Sequence, residues 1–401
     1  MVSSGQHASD LAAKLVQVGH SVTVVCSRRA YDDPSRRFVP RETWRGVQIF
    51  RVGATGFGKK AKWRRAADFA SFLITCLLRV FFLSRFDVII TMTSPPMISA
   101  LGAALVRARG GIYIFWMMDM NPDEAIAAEW LRERSLLARI LRRVLAFSLS
   151  TAQRVIALDH FMAQRLRDKG VPPAKIAVIP PWSHDQSVTF DEAGRQAFRE
   201  EHGLAGKFVV MYSGNHSPCH PLDTILAAAE RLRDHPQVAF CFVGGGSEFR
   251  KVQDRALSRD LRNVHCFPYQ PLCRLSDSLS SADLHLVVMG DPFVGIVHSC
   301  KVYNVRSIGI PFAYVGPTPS HVTELGPSGD FRHGDVAGLA DFICRCAAAK
   351  PPLRSRGSRA AMPGDFSQST LLGRMVRLIE SQGPAVESPV PAEFISVEDD
   401  R

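Results

Sequence analysis

Glycine-bearing turns in the second half of the chain are the first positions that could bind an anion. Gly214 and Asn215 follow the apolar run 207–213, and His220 comes shortly after. Glycine lets backbone N–H groups approach a phosphate closely, and Asn and His side chains can donate further hydrogen bonds. A turn of this composition is equally typical of a purely structural connection, and both readings stay open here.

A second turn carries three consecutive glycines, Gly244, Gly245 and Gly246, directly after the apolar run 238–243. Three glycines in a row cost backbone entropy, which suggests that something bulky must lie close to the main chain. The spacing is not G-x-G-x-x-G, so a dinucleotide site of the dehydrogenase kind is disfavoured.

Lys301 is the strongest single candidate for phosphate binding. The pattern predicts a helix that begins near Ser299 or Cys300, which places Lys301 in its first turn. A lysine at that end opposes the helix macrodipole, so an anion beside it would be stabilising. The alternative is a solvated lysine whose stem points away from the helix start.

These turns need parallel sheets to position them. Short β-branched runs alternate with helical patterns along most of the chain, which indicates an α/β fold with two doubly wound domains. Pro180 and Pro181 should end the first sheet. We therefore expect a first domain at 1–182, a second at 183–365, a helix at 366–382 that packs back on the first domain, and a disordered tail at 383–401.

The beginning of the chain is unusual for such a fold. Positions 8–18 follow a helical pattern that ends at Gly19, so the sequence opens inside a helix rather than with a strand. We expect the reading frame to start upstream, with residues 2–6 forming the turn after a missing first strand and Ser4 and Gly5 facing the acceptor. The alternative is an ordinary N-terminal helix on a sheet of different strand order.

Charge is distributed unevenly: residues 1–182 carry 27 basic and 13 acidic side chains, and the remainder carries 22 and 25. A basic first half implies an anionic partner, such as a membrane surface, a phosphate-linked substrate or a nucleic acid. Nucleic acid is disfavoured because the basic residues lack interleaved stacking aromatics. The nine cysteines show no C-x-x-C pair, which is typical of reduced thiols in the cytosol.

The segment from Trp63 to Leu83 has an apolar stripe after a run of cations. Arg79 interrupts it, so it is too short to span a bilayer. It suits either a helix lying in an anionic membrane interface or a core helix with a solvated start, and the sequence favours neither.

With these pieces in place, the chain resembles the family 4 glycosyltransferases of the GT-B fold, of the bacterial type that builds O-antigen, capsule or exopolysaccharide. The resemblance covers residues 1–382. It is carried by the order and spacing of several segments: 11–27, 93–96, Met118, Asp119 and Pro122, 178–182, 209–215, 242–246, 267–271, 281–283 and 301–304.

The resemblance implies two Rossmann-like domains facing across a cleft, and retaining transfer of a hexosyl group from a nucleotide sugar, UDP-linked, to a polyprenyl-linked or other glycan acceptor. It places the donor diphosphate on Gly214, Asn215, His220 and Lys301, and the nucleobase at 267–270, which includes Tyr269 and Gln270. We expect Gly244, Gly245 and Gly246 to contribute to the same diphosphate site. Asp119 matches an acidic position that orients the acceptor hydroxyl or receives its proton. The enzyme would be cytoplasmic and peripheral on the inner face of the plasma membrane.

The sequence also departs from that family. Most members carry two glutamates eight positions apart, where this chain has Ile296 and Asn304. Asn304 can still hydrogen-bond a ribose hydroxyl, although more weakly than a carboxylate. Pro218 replaces a residue that is often basic.

These departures leave alternatives open: a catalytically degenerate GT-B protein acting as a membrane-associated assembly partner, and a nucleotide-sugar 2-epimerase. The histidines show no metal-ligand spacing, so we predict no metal ion and no cofactor, with Lys301 and helix dipoles neutralising the diphosphate.

Overall fold

The structure, a computed structural model, describes residues 3–29, 36–57, 62–183, 188–349 and 366–382. Its helices are α1 Ser3–Gln17, α2 Lys62–Phe81, α3 Ile98–Arg109, α4 Asp123–Ala127, α5 Leu136–Thr151, α6 His160–Asp168, α7 Glu192–Glu201, α8 Asp223–Arg231, α9 Phe249–Ser258, α10 Leu275–Ser280, α11 Lys301–Ile308, α12 Val336–Ala348 and α13 Gln368–Glu380. Four short 3₁₀ turns lie at Pro173–Lys175, Leu272–Arg274, Asp291–Phe293 and Thr323–Leu325.

The strands are β1 Thr23–Ser27, β2 Arg41–Trp44, β3 Val47–Val52, β4 Val88–Thr91, β5 Ile112–Trp116, β6 Arg154–Ala157, β7 Ile176–Val178, β8 Phe208–Asn215, β9 Val238–Gly245, β10 Val264–Phe267, β11 Leu284–Val288, β12 Phe312–Val315 and β13 Gly329–Phe331. The apolar runs 207–213 and 238–243 lie in β8 and β9, and the predicted α/β class with parallel sheets in two Rossmann-like domains is confirmed. Strands β2 and β13 were not predicted from the sequence.

The largest sheet has six parallel strands in the order β10-β9-β8-β11-β12-β13. Its central strand β11 is buried along its whole length. A strand buried on both faces must be apolar throughout, which explains why Leu284–Val288 reads as a continuous hydrophobic run. Helices α8 and α12 contribute buried side chains to the same core.

The prediction that the strands of the first half form a single sheet is wrong. β1, β3 and β2 form one sheet, in which β2 is antiparallel, and β4, β5, β6 and β7 form another. Among the described strands β1 pairs only with β3, and β4 only with β5, so each is the end strand of its own sheet.

The chain divides into two compact units. One comprises Met1–Ile89, Leu105–Ile112 and Leu372–Arg401, and the other comprises Ile90–Ala104 and Tyr113–Leu371. The C-terminal helix α13 belongs to the first unit from Leu372 onward, and there the Glu380 carboxylate lies 3.2 Å from His20 Nε2. The predicted domains 1–182 and 183–365 and the cleft between them stay predictions. The predicted tail at 383–401 lies outside the described residues.

At the beginning of the chain, the predicted turn at residues 2–6 is wrong. Helix α1 already includes Ser4 and Gly5, and the Ser9 hydroxyl donates to the Gly5 carbonyl at 2.9 Å. The first four amides of a helix need no intrahelical partner, so small residues are tolerated there. No described helix is both long and apolar enough to cross a membrane.

Candidate active site

The candidate site lies where the six-stranded sheet reverses its strand order. β8 is followed in sequence by β9 and β10 on one side, whereas its other neighbour is β11. In open α/β sheets, ligands bind beyond the carboxyl ends of the strands at such a switch point. The end of β8, with Gly214 and Asn215, and the segment after β11, with Lys301, therefore meet there.

Lys301 is the first residue of α11, preceded by Cys300 at the N-cap, as predicted. Its Nζ donates a 2.6 Å hydrogen bond to the Tyr212 hydroxyl and lies 3.9 Å from the centre of that ring. The Tyr212 hydroxyl in turn donates to the Asn215 carbonyl at 2.8 Å. A Cβ added to Gly214 would lie 3.3 Å from Lys301 Nζ, so the ammonium lies directly against this strand end.

Burial lowers the pKa of Lys301 to about 7. Within the described part of the chain, no carboxylate lies close enough to form an ion pair with its ammonium. A buried cation without a counter-ion is costly, and an anion beside it would restore the charged form. The geometry therefore supplies a cationic group at a helix N-terminus that lacks an anionic partner.

The glycines at the strand ends have a packing explanation that the sequence did not reveal. β8 and β9 pair as far as Gly214 with Gly244 and Asn215 with Gly245, two residues beyond the predicted strand ends. A Cβ on Gly244 would lie 2.0 Å from the Gly214 carbonyl oxygen, and φ is +138° at Gly244. The expected bulky neighbour of Gly244 is thus the adjacent strand itself, because the two backbones approach too closely for any side chain.

Gly246 and Gly245 are restricted by similar contacts. A Cβ on Gly246 would lie 2.2 Å from the His216 carbonyl oxygen, and one on Gly245 would lie 3.0 Å from the Tyr269 ring. The Tyr269 hydroxyl donates to the Gly245 carbonyl at 3.1 Å, while 58% of the residue stays exposed. Of the two predicted base-binding residues, Tyr269 therefore lies beside Gly245, whereas the Gln270 side chain donates to the Pro268 carbonyl at 3.1 Å.

His220 is not placed as a phosphate donor. It is buried, and its Nδ1 donates to the Val288 carbonyl at 2.7 Å. Burial and the Lys301 charge hold its pKa well below the usual range, so it is neutral and its Nε2 carries no proton. The expectation that His220 donates to the diphosphate is corrected: the residue ties the loop after β8 to the end of β11.

Ser299 is a site residue that the sequence suggested only as a helix cap. Its side chain is buried, and its hydroxyl has no hydrogen-bond partner among the described residues. Its backbone N–H donates to His321 Nε2 at 3.1 Å. A buried hydroxyl without a partner, two residues before Lys301, is a further polar group available to a ligand at the start of α11.

A buried network holds the segment before Lys301 in place. His298 Nδ1 donates to Asp159 Oδ2 at 2.7 Å, and His298 Nε2 lies 2.8 Å from the Tyr303 hydroxyl. Asp159 is also the N-cap of α6 and accepts from the Met162 amide. Burial alone would raise the pKa of Asp159, but the hydrogen bond and charge of His298 hold it well below the usual range.

Asp159, His298 and His321 also satisfy the first requirement of a metal site, because their ligand atoms lie within 4.8 Å of one another. The two imidazole rings are stacked, with centroids 3.8 Å apart and planes inclined by 20°. In-plane lone pairs of stacked rings do not converge on one ion. Both nitrogens of His298 are also engaged in hydrogen bonds, so the arrangement suits a hydrogen-bond network better than a metal site.

Asp119 follows β5 and forms an isolated antiparallel bridge with Val297. Its backbone N–H donates to Thr93 Oγ1 at 3.3 Å. Burial, and then the charge of Glu124, raises the pKa of Asp119 to about 7. Glu124, which the sequence analysis did not single out, accepts from Asn121 Nδ2 at 3.2 Å and lies 3.8 Å from Cys219 Sγ. A carboxyl that titrates near neutral pH is suited to general base chemistry.

The remaining predicted positions lie as follows. Asn304 is half-buried on α11, one turn after Lys301 and therefore on the same helix face. Ile296 is buried, and its carbonyl accepts from the Met120 amide at 2.9 Å. The side chain of Ser4 lies outside what the structure describes, so the acceptor-side assignment of Ser4 and Gly5 stays a prediction.

Family comparisons agree with this architecture. The family model described as "Glycosyl transferase 4-like domain" matches residues 4–182. The model described as "Glycosyl transferases group 1" matches residues 194–293, the segment that includes the ends of β8 and β9.

Two curated relatives are similar over part of the chain. One is named as the glycosyltransferase WbjE of Pseudomonas aeruginosa, 25% identical over 241 residues, which are 60% of each chain. The other is named as the colanic acid biosynthesis glycosyl transferase WcaI of Escherichia coli K12, 31% identical over 212 residues, or 51% of each chain. The chain thus spans about half to three fifths of the length of these relatives.

Solved structures share the fold at low sequence identity. A sucrose-phosphate synthase from Thermosynechococcus elongatus superposes with a TM-score of 0.74 at 16% identity, covering 94% of this chain and 93% of that one. The lipopolysaccharide glycosyltransferase WaaG gives 0.64 at 16% identity over 93% and 95%. Anabaena HepE in complex with UDP and glucose gives 0.63 at 14% identity over 84% and 87%. Residues 4–182 and 194–293 therefore each match a glycosyltransferase family model, and the chain has the GT-B fold of these solved structures.

Proposed function

We propose that this protein transfers a sugar from a UDP-linked or related nucleotide sugar to a membrane-carried glycan acceptor during surface polysaccharide synthesis, with retention at the anomeric carbon and without a metal ion. The observation that carries the proposal is Lys301. It is a half-buried cation at the start of α11, against the end of β8, and no described carboxylate neutralises it.

Three groups support a diphosphate at this position. The Lys301 ammonium supplies charge, the Ser299 hydroxyl is buried without a described partner, and α11 presents its N-terminal amides. Helix N-termini favour anions through their free N–H groups and their dipole. The structural neighbour HepE has been solved with UDP and with UDP-glucose, which is consistent with such a donor.

The base and ribose would lie on the exposed side of the same strand ends. The Tyr269 ring is more than half exposed and anchored by its hydroxyl to the Gly245 carbonyl, so its open face can stack on a nucleobase. Gln270, Asn215 and Asn304 are the proposed polar contacts, with Asn304 on a ribose hydroxyl.

In the transfer step, the acceptor oxygen would form the new bond to the anomeric carbon while the bond between that carbon and the β-phosphate oxygen breaks. The leaving nucleoside diphosphate carries away the electron pair, and Lys301 stabilises the charge that develops on it. The acceptor hydroxyl proton passes to the Asp119 carboxylate in this scheme. Asp119 must be ionised to accept it, and the raised pKa makes it basic enough to do so.

A membrane-carried acceptor requires the enzyme to work at the cytoplasmic face of the membrane. The names of the relatives point to polysaccharide synthesis, with colanic acid for WcaI and lipopolysaccharide for WaaG. Helix α2 confirms part of the predicted Trp63–Leu83 helix and exposes an apolar stripe of Ile74, Leu77, Leu78, Phe81 and the following Phe82. Such a stripe supports the interfacial reading, while buried Phe72, Cys76 and Val80 show that the opposite face is a core face.

Calorimetry with UDP tests the donor site directly. The parent protein should bind UDP, and Lys301→Ala should weaken binding and lower turnover of the accepted UDP-sugar by well over tenfold, which corresponds to roughly 2 kcal/mol or more of lost stabilisation. Lys251→Ala is the matched control, because Lys251 is an exposed lysine paired with Glu248. A folded protein that binds neither UDP nor UDP-sugars would contradict the proposal and favour the degenerate assembly partner instead.

A further inference from the structure

Helix α5 has two apolar faces, and only one of them is buried against other described residues. Its buried residues are Ala138, Leu145, Ser148 and Leu149. On another part of its surface, Leu136 is 65% exposed, Leu137 55% and Ile140 43%. A surface helix of a globular protein ordinarily presents polar side chains to water opposite its core face. Three large exposed aliphatic residues within five positions therefore mark a surface that binds something apolar.

Arginines surround these aliphatic residues. The segment 132–143 contains five arginines and one acidic residue, Glu133, which pairs with Arg142 at 2.9 Å. All five arginines are exposed: Arg132, Arg134, Arg139, Arg142 and Arg143. The surface is thus strongly cationic and apolar at the same time.

An open depression lies at the start of the helix. Its volume is about 440 Å³, and it is lined by Arg134, Arg139 and Arg142 together with Glu133 and Ser135. Leu136 and Leu137 follow Ser135 directly, so this cationic depression adjoins the exposed aliphatic patch. Guanidinium groups bind phosphate oxygens through paired hydrogen bonds, so the depression suits a phosphate-bearing headgroup.

The combination of exposed arginines with exposed aliphatic residues distinguishes between classes of partner. Nucleic acid would contact the arginines but would leave Leu136, Leu137 and Ile140 in water. A bilayer interface satisfies both features, because long cationic side chains reach the headgroup level while the aliphatic residues enter the acyl boundary. An anionic leaflet adds attraction of about 1 kcal/mol for each basic residue near it.

We infer that α5 is a docking surface for an anionic lipid bilayer, with Leu136, Leu137 and Ile140 entering the acyl boundary and the arginines of the depression binding lipid phosphates. The sequence suggests interfacial contact only for the segment that forms α2, so the residues of this surface are different ones. It does not depend on the proposed sugar transfer, since lipid binding needs neither donor nor acceptor.

Vesicle flotation of the full-length protein without any nucleotide tests the inference. The protein should float with phosphatidylcholine–phosphatidylglycerol vesicles and much less with phosphatidylcholine vesicles, and salt should weaken the binding. Replacing the arginines of the depression, as Arg134→Gln/Arg139→Gln/Arg142→Gln, should lower the lipid partition coefficient about a hundredfold if each arginine contributes about fivefold. Leu136→Ser/Leu137→Ser/Ile140→Ser should also reduce flotation strongly.

Two controls separate docking from other effects. Leu257→Ser removes the most exposed leucine of α9, and Arg250→Gln/Arg259→Gln removes exposed arginines outside α5. Both should float like the parent. A third variant on α2, Leu77→Ser/Leu78→Ser, measures how much the other apolar stripe contributes. All α5 substitutions are at exposed positions, so the melting temperature should stay near that of the parent and UDP binding should be unaffected.

Parent-like flotation of both α5 variants would overturn the inference, as would equal binding of the parent to neutral and anionic vesicles. Loss of flotation only in the α2 variant would assign the membrane contact to α2 and also overturn it. Retained UDP binding in the α5 variants keeps this outcome distinct from a failure of the proposed function.

Discussion

Lys301 lies on the face and hydroxyl of Tyr212, with Nζ 2.6 Å from the tyrosine oxygen and 3.9 Å from the ring centre. The two residues come from different elements, β8 and the start of α11, which flank the switch point of the six-stranded sheet. The Tyr212 hydroxyl in turn donates a hydrogen bond to the Asn215 carbonyl. The Tyr212 hydroxyl therefore holds the Lys301 ammonium in position, and the Tyr212 ring partly stabilises the positive charge.

Tyr212→Phe tests this positioning. The variant keeps the ring but removes the oxygen that accepts from Lys301, so we expect UDP affinity to fall about five- to tenfold, the effect of one net hydrogen bond of about 1 kcal/mol. Calorimetry with UDP measures it. Tyr314→Phe is the matched control, since Tyr314 is also buried but hydrogen-bonds to the Pro317 carbonyl. Unchanged UDP affinity in Tyr212→Phe would rule out the positioning role.

UDP binding should also depend on pH through Lys301. Burial lowers the pKa of this lysine to about 7, so the free protein loses the ammonium charge as pH rises through that value. Binding restores the charge at the cost of taking up a proton, so affinity should fall by up to about tenfold per pH unit above about 7. The terminal phosphate of UDP is already ionised there, because its second pKa is about 6. Lys301→Arg, which stays charged, should flatten the profile; an equally steep profile in that variant would exclude Lys301 as the titrating group.

Lys301 also shows which features of the site can be predicted from the sequence. Its helix position followed from a local pattern, and the strands that lead to the site followed from apolar runs, because both depend on neighbours in sequence. The Ser299 hydroxyl and the His298–Asp159 hydrogen bond could not be predicted, since the latter joins residues 139 positions apart. The glycines at 244 and 246 were recognised as constrained, but their neighbour is a paired strand, which only the register reveals. The exposure of the apolar face of α5 could not be predicted for a similar reason. Periodicity in the sequence identifies an apolar stripe on a helix, but it does not show which stripe is buried.

Asp119 and Glu124 give a prediction about the acid side of the activity profile. Asp119 must be ionised to act as a base, and burial and Glu124 raise its pKa to about 7, so kcat/KM should fall as pH drops below that value. Glu124→Gln removes a neighbouring negative charge, which should move this limb to lower pH. Asp119→Asn should lower turnover by about 10²–10⁴-fold. An exposed control, Glu200→Gln, should leave the limb in place, and a Glu124→Gln profile that coincides with the parent would separate Glu124 from Asp119.

The buried pair of Asp159 and His298 should contribute strongly to stability. Asp159→Ala removes both the N-cap of α6 and the partner of a buried imidazole, so we expect a loss of about 3 kcal/mol in the free energy of unfolding. Asp335→Ala removes only an exposed N-cap, of α12, and should cost about 1 kcal/mol. Urea unfolding of the two variants measures the difference, and equal losses would show that the pair with His298 adds nothing to the cap.

Acid should destabilise the protein before most of its carboxylates are protonated, because several buried histidines are held neutral. Burial lowers the pKa of His285 to about 4; for His216, burial and then the Lys301 charge lower it to about 4, and His220 lies well below the usual range. Their folded pKa values lie below the unfolded value of about 6.5, so the unfolded chain binds more protons between about pH 4 and 6.5. Stability is therefore fully present above about 6.5 and is lost as pH falls. For three such residues the free energy of unfolding should be about 4 kcal/mol lower at about pH 5.5 than at about pH 7.5.

Urea midpoints at the two pH values measure this loss. His285→Gln removes one titrating group while its amide nitrogen can take the place of Nε2, which donates to the Leu279 carbonyl, so about a third of the pH-dependent loss should disappear. His160→Asn, at an exposed position, should leave the loss unchanged. A protein equally stable at both pH values would show that these imidazoles take up protons without unfolding, and therefore that the loop containing His216 and His220 opens to water on its own.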